Sequence, residues 1–326
     1  MIVVTGGAGF IGSILAQRLN EKGIKDLLIV DQDLRKSSKP GALEKSDNLK
    51  KLTFTDCIES DVFLTKIRNK DFKNTIKAVF HQGACSSTTE MDREYLRKNN
   101  TEYSQTLANW CLGNKIYFSF ASSAATYGNG ELGYSDADDL TPSLKPLNPY
   151  GQSKLDFDIW VLKNRLENRI VGFRYFNVYG PNEYHKGDMR SVVHKGFEQI
   201  RDTGRLKLFK SYRPDYPDGG QKRDFVYVKD VVDVVLWFYE KQPAIGGIYN
   251  LGTGRAQTWN DLGDALFKAM GKPKQIDYVE MPEKLRGQYQ YFTEADLSKL
   301  KGAGCPVPFR NLEAGVADYV RKHLAA

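Results

Sequence analysis

Tyr150 and Lys154 stand four residues apart in PYGQSK (149–154), directly after a proline. In a helix this spacing puts a phenol and an ammonium on one face, a turn apart. Such a pair can move a proton. Free tyrosine titrates near pH 10, and a neighbouring cation favours the phenolate. The same spacing also occurs on ordinary helix surfaces, so the rest of the chain must supply the context. ASSAATYG (121–128) ends a strand ahead of this helix, and its Ser123 hydroxyl is placed to bond a reacting oxygen. Beside an oxidised nicotinamide, Tyr150, Lys154 and Ser123 form a constellation for alcohol oxidation by hydride transfer.

TGGAGFIG (5–12) is the matching cofactor signal. It spaces Gly6, Gly9 and Gly12 between an apolar strand and a helix. Glycines there permit a tight turn, close approach of backbone to a pyrophosphate, and close helix–strand packing. The phosphates then rest on free N–H groups at the helix N-terminus. Asp31 closes the second strand, DLLIVD (26–31), where an acid usually bonds a ribose hydroxyl and favours NAD. Arg35, Lys36 and Lys39 follow and can instead meet a 2′-phosphate. At this level NAD and NADP both stay open.

These elements need a parallel sheet to carry them. Apolar runs near 1–7, 26–31, 76–84, 116–128 and 169–181 alternate with helical stretches near 10–23, 92–113 and 150–168. That alternation predicts an α/β fold, a Rossmann-type doubly wound parallel sheet with a smaller C-terminal α/β substrate domain. The expected division is 1–176 plus about 225–250 for the dinucleotide and 177–224 plus about 251–326 for the substrate.

The totals exclude several alternatives. A net charge of +7 from 47 basic and 40 acidic residues is spread along the 326 residues rather than gathered into an arm, so no nucleic-acid partner is expected. Cys57, Cys85, Cys111 and Cys305 lie apart, without a metal-ligand spacing, and read as free thiols in a reducing compartment. No metal is expected. No apolar run is long enough to cross a bilayer and no charged leader opens the chain, which points to the cytoplasm and away from a membrane.

TGGAGFIG, SSAATYG and YGQSK resemble the extended short-chain dehydrogenase/reductase family of nucleotide-sugar enzymes. FHQGACSSTTE (80–90), NNTEYSQTL (99–107), VGFRYFNVYGPNEYHKGDM (171–189), KRDFVYVKDV (222–231) and YNLGTGRAQT (249–258) resemble its ADP-L-glycero-D-manno-heptose 6-epimerase branch nearly end to end. The resemblance implies inversion of C6″ of ADP-D-glycero-D-manno-heptose, for the inner core of lipopolysaccharide, by transient oxidation and re-reduction with bound NADP (NAD being possible). It implies a homo-oligomer, a homopentamer by that likeness.

Dehydratases of this group carry a carboxylate pair beside the threonine that Ala124 and Ala125 precede here, Thr126. An epimerase that returns hydride to the opposite face needs a proton carrier on each side. Tyr150 is one, and the resemblance makes Lys186 the other. It further implies cofactor contacts from Phe10, Ile11, Gln32, Lys39 and Gln82, from Gly83, Ala84, Cys85, Ser86 and Asn99, and from Lys154 and Val178. Asn177, Arg223 and Tyr289 would face the substrate, with Phe209, Lys210, Ser211 and Tyr212 at its nucleotide end. Arg223 suits a diphosphate as a bidentate partner, with a salt bridge to Asp224 as the rival reading. Two features depart from the family pattern. Asp188 stands where serine is frequent, placed to pair with Lys186 or to hold sugar hydroxyls, and 212–221 reads as an insertion. Two other functions stay in view: another nucleotide-sugar epimerase, such as a UDP-glucose 4-epimerase, and a non-catalytic NADP-sensing protein.

Overall fold

The computed structural model describes residues 1–32, 44–72, 74–241, 245–287 and 289–325. Lys39, like Arg35 and Lys36, falls outside the described residues. The apolar runs form β1 (Ile2–Thr5), β2 (Leu27–Asp31), β3 (Asp56–Glu59), β4 (Ala78–His81), β5 (Tyr117–Ser123) and β6 (Val171–Tyr175). After them come β7 (Asn177–Tyr179), β8 (Leu206–Phe209), β9 (Lys222–Tyr227) and β10 (Gly247–Leu251). Seven of these strands make one sheet in the order β10-β6-β5-β4-β1-β2-β3, every pairing parallel. The expected α/β architecture is therefore present, with its reversal of strand order beside β1.

Strand β1 shows why the sheet is covered on both faces. Side chains alternate across a strand, so Val4 joins one apolar cluster and Val3 the other. The Val4 side packs against α1 (Phe10–Glu21) through Ile14 and Leu15. The Val3 side packs against Phe63 of α2 (Ser60–Arg68) and against the helical run formed by α3 (Arg93–Leu96), a π-helical turn (Arg97–Glu102) and α4 (Tyr103–Gly113). It also holds Phe157 and Val161 of α5 (Pro149–Lys163).

Helix α5 explains the proline ahead of Tyr150. The Asn148 side chain caps the helix by accepting from the Gly151 N–H at 2.8 Å. Pro149 occupies the first helical position, where a missing N–H costs nothing. The helix ends at Lys163, short of the expected 168, because Arg165 takes a left-handed φ of 55°.

The apolar run at 169–181 splits instead of forming one strand. Strand β6 stays in the large sheet, whereas β7 leaves it at Phe176 to pair with β9, itself flanked by β11 (Ala256–Thr258). Residues 225–227 thus sit in this small sheet, while α6 (Val192–Thr203) precedes it and α7 (Val228–Glu240) returns the chain to β10. Beyond β11 lie α8 (Trp259–Met270) and β12 (Ile276–Val279), the latter paired with β8. Among the described residues no helix is long and apolar enough to cross a membrane.

A buried hydrogen-bond chain ties the sheet to the loops above it. The Gly83 N–H donates to Thr5 Oγ1, which meets His81 Nδ1 at 2.7 Å, and His81 Nε2 meets Ser104 Oγ at 2.8 Å. Burial, with the Lys154 charge as a lesser cause, pushes His81 from 6.5 down to about 3. The unfolded chain therefore takes up a proton between about pH 6.5 and 3 that the folded chain refuses, so stability falls as pH drops through that window. Urea unfolding at pH 7 and pH 4.5 should show a loss on the order of 2 kcal/mol from this group. The His81→Gln protein, less stable at the outset, should show a smaller drop between the two pH values.

Candidate active site

A cleft of about 700 Å³ opens at the C-terminal ends of β1, β4, β5 and β6, beside the reversal of strand order. Parallel sheets bind ligands at this position because the loops diverge there and helix N-termini face the gap. Two backbone contacts make its floor. Gly6 has φ +65°, and a Cβ on it would stand 2.7 Å from the Gly83 nitrogen. A Cβ on Gly12 would stand 2.2 Å from the Gly6 carbonyl oxygen. Only glycine lets the first loop lie against the loop after β4 and lets α1 start immediately above it.

The expected cofactor residues divide into three groups. Gly6, Gly9, Phe10, Ile11, Gly12 and Asp31 line the cleft from the β1–β2 side. Gln82, Gly83, Ala84 and Ser86 line it from the β4 loop, with Val178 across from them. Gln32, Cys85 and Asn99 are not among its lining residues. Gln32 is exposed, and Asn99 is occupied with the Tyr95 carbonyl at 2.8 Å. Cys85 serves through its backbone, which exchanges two hydrogen bonds at 2.8 and 3.0 Å with the side chain of Asn100, the residue after Asn99.

Sequence reasoning missed Asn100, although a signal existed. It falls with Leu96, Ser104 and Leu107 on the buried stripe of α3–α4, where a polar side chain needs partners. Lys45 was also missed. It lines the cleft and pairs with Asp31, whose carboxylate also accepts from the Ala8 N–H at 2.9 Å and the Gln32 N–H at 2.7 Å. No spacing rule predicts that partnership, because the two residues stand 14 positions apart.

The site fits a dinucleotide on its own geometry. The Gly6–Gly83 cradle leaves backbone where side chains would otherwise fill space. Gln82 lines the cleft with its Oε1 accepting from the Tyr175 hydroxyl at 2.8 Å and its buried Nε2 without a protein acceptor. Among the described residues, no group of three or more His, Cys, Asp or Glu side chains is disposed to hold a metal ion.

Ser123, Tyr150, Lys154 and Lys186 all line this cleft. Burial pushes the Tyr150 phenol up, and a hydrogen bond with the Ser123 side chain opposes that shift. Lys154 Nζ donates to the Ala121 carbonyl of β5 at 2.8 Å, and burial brings it down to about 8 against the attraction of Asp158. Lys186 sits in the turn Tyr184–Met189 with its ammonium 5.4 Å from the centre of the Phe10 ring. Burial lowers its pKa and the Glu183 carboxylate opposes the shift. The acid acting on Lys186 is thus buried Glu183, held by Ser191 Oγ at 2.6 Å, and not Asp188, which is exposed and receives Lys195 on its backbone carbonyl.

Of the expected substrate residues, Asn177 lines the cleft at the start of β7, whereas Asp188, Arg223 and Tyr289 are outside its lining. Arg223 is only 5% exposed and stacks between the rings of Tyr289, at 4.9 Å, and cleft-lining Trp259, at 5.8 Å. The rival pairing with Asp224 is absent. That carboxylate is taken by Thr253 and by the Gly254 and Ala295 N–H groups, on the other face of β9. Trp259 Nε1 donates to the Tyr289 hydroxyl at 2.8 Å, so a tryptophan unnoticed in the sequence aligns the stack. Phe209 meets the edge of Tyr289 at 6.4 Å. Further out, Ser211 N donates to Asp218, Lys210 pairs with Glu280, and Tyr212 lies under Arg286 at 3.8 Å. Phe209, Lys210, Ser211 and Tyr212 are outside the cleft lining itself.

Comparison with known proteins agrees with this geometry. Residues 2–252 match the NAD dependent epimerase/dehydratase family. The ADP-L-glycero-D-manno-heptose-6-epimerase of Nitratidesulfovibrio vulgaris is 50% identical over 326 residues, spanning 100% of this chain and 98% of that one. The crystal structure of the Helicobacter pylori ADP-L-glycero-D-manno-heptose-6-epimerase superposes with a TM-score of 0.82 at 30% identity, over 100% of this chain and 96% of that chain. The UDP-glucuronic acid 4-epimerase of Bacillus cereus, solved with UDP-glucuronic acid and NAD, gives a TM-score of 0.75 at 26% identity, over 98% and 99% of the two chains. Fold, cleft and full-length likeness lead to one conclusion: the chain belongs to the NAD dependent epimerase/dehydratase family.

Proposed function

We propose that this protein inverts C6″ of ADP-D-glycero-D-manno-heptose, with NADP as cofactor, to give ADP-L-glycero-D-manno-heptose for the inner core of lipopolysaccharide. The observation that carries the reading is the presence of two proton-bearing side chains, Tyr150 and Lys186, on one cleft above the glycine turn. A reductase or a simple oxidase needs one such group. Inversion through a ketone needs one for each face. The full-length likeness to a named ADP-heptose epimerase supports the choice of sugar.

When bound, the nicotinamide supplies the acceptor for the C6″ hydride and the donor that returns it. The chain supplies the rest. Ser123 and Tyr150 hold the reacting oxygen, and Tyr150 takes or gives its proton on one side. Lys154 spends one N–H on Ala121 and keeps two donors, with its charge, for the ribose and the phenol. Lys186 exchanges the proton on the other side, its ammonium weakened by burial and steadied by Glu183. Arg223, stacked behind cleft-lining Trp259 and without a carboxylate partner among the described residues, supplies a cation for the diphosphate. Lys45, beside Asp31, supplies the cation that a 2′-phosphate requires and supports NADP over NAD. The glycine-turn portion (1–176 with about 225–250) thus handles the cofactor and the remainder handles the sugar.

Three measurements test this. Purified protein should invert ADP-D-glycero-D-manno-heptose and leave UDP-glucose untouched, and mass analysis of the nucleotide it releases should find NADP. In heavy water the inverted carbon should keep its original hydrogen, since the hydride never reaches solvent. Deuterium at that carbon would replace the oxidation scheme with simple deprotonation. Tyr150→Phe and Lys186→Met should each cut turnover by about a hundredfold or more, with bound cofactor and melting temperature retained. A Lys186→Met protein that loses its cofactor would assign that lysine to binding instead.

A further inference from the structure

One turn beyond Lys154 on α5 lies Asp158, with no exposed side-chain surface. Its Oδ2 accepts from Ser122 Oγ at 2.9 Å and from Arg174 Nε at 2.8 Å. Arg174, on β6, is equally buried, and its remaining donors reach Tyr127 at 3.0 Å and Thr141 at 2.8 Å. The Tyr127 hydroxyl continues to Asn250 of β10 at 2.6 Å. Neither Asp158 nor Arg174 lines the cleft, yet Ser122, Ser123 and Lys154 do.

The pairing is lopsided. A carboxylate that existed only to neutralise Arg174 would be expected to engage it with both oxygens. Here Asp158 Oδ1 is buried and has no hydrogen-bond partner among the described residues. A dry ion pair gains little over apolar packing, so it is weak as a device for stability alone. Burial pushes the Asp158 carboxyl up, and Arg174, Ser122 and Lys154 oppose that shift. Ionised by these partners, it puts negative charge through its spare oxygen on the helix face that carries Lys154 four residues earlier.

We infer that Asp158 is a positioning residue for the reaction, its buried carboxylate holding Lys154 as an ammonium and fixing β5 against α5. The inference deepens the proposed function and rests on its use of Lys154 as a cation. Tyr150 and Asp158 face that lysine from α5, His81 and Cys85 from β4 and the loop beyond it, and the Ala121 carbonyl from β5. Arg174 stands behind Asp158. His81 is neutral at working pH, so Asp158 is the carboxylate that offsets the burial of Lys154. Even with it, Lys154 is drawn down to about 8, close enough to neutrality that losing the carboxylate matters.

The test is Asp158→Asn, which keeps an oxygen for Ser122 and Arg174 but removes the charge. The ¹³Cε shift of Lys154, assigned by its disappearance in Lys154→Arg, is followed against pH in the purified protein, beside the pH profile of kcat on ADP-heptose. The lysine midpoint should fall by about one pH unit or more, and the alkaline limb of kcat should move down with it. Ser122→Ala, which keeps the charge, should leave the lysine midpoint in place. If Asp158→Asn does not fold, Asp158→Asn/Arg174→Gln leaves no lone guanidinium and should still show a fall, smaller because a cation leaves with the carboxylate. An unchanged midpoint with only a lower melting temperature would make Asp158 a counter-ion for Arg174 and overturn the inference, as would an equal fall in Ser122→Ala. Wild-type protein inactive on ADP-heptose would refute the proposed substrate while the lysine titration still decided the role of Asp158.

Discussion

The backbone of Gly6 lies against the backbone of Gly83, and the rest of the site is arranged around that contact. Parallel strands β1 and β4 are neighbours in the sheet although β2 and β3 come between them along the chain. Their following loops must share one small space at the mouth of the cleft. A side chain on either glycine would push the loops apart, tilt α1 and widen the floor on which a dinucleotide would lie. The Thr5 hydroxyl beneath the contact accepts the Gly83 N–H and passes the constraint through His81 to Ser104 on α4.

From there a single asparagine carries order to the reactive groups. Asn100 holds the Cys85 backbone and the Ser153 hydroxyl together, and Thr101 donates to the Ser153 carbonyl. Ser153 is the residue before Lys154, so the helix bearing the phenol and ammonium is locked to the cofactor loop. The chain turns through a π-helical segment at this point, 97–102, which lets consecutive residues Asn100 and Thr101 both reach α5. Buried polar groups are costly unless every partner is present. The same cost keeps a satisfied network in one arrangement, which proton transfer over hydrogen-bond distances requires.

Tyr150 and Lys186, the two proposed proton carriers, sit in contrasting surroundings. Tyr150 opens a capped helix packed on the sheet, whereas Lys186 projects from a short turn over the Phe10 ring. Both are desolvated, so burial moves the phenol up and the ammonium down. Each then depends on one nearby group to limit the shift: Ser123 for the tyrosine and Glu183 for the lysine. Desolvation thus favours the neutral form of both groups, the phenol and the amine.

Local rules were enough to read the glycine turn, the acid at the end of β2, the capped helix after Pro149 and the parallel sheet. Each is written in residues close along the chain, where periodicity, capping and glycine sterics act directly. The break of 169–181 into β6 and β7 was not legible, because an apolar run does not reveal which sheet each half will join. Nor were the partnerships of Lys45 with Asp31, Glu183 with Lys186, Trp259 with Tyr289, or Asp158 with Arg174. These depend on which side chains the fold buries beside one another, and burial sets both the cost of a charge and the value of its partner. Residue order near each motif specifies the fold and the kinds of groups at the site. Which charges face which is settled by packing, because desolvation is a property of the folded whole.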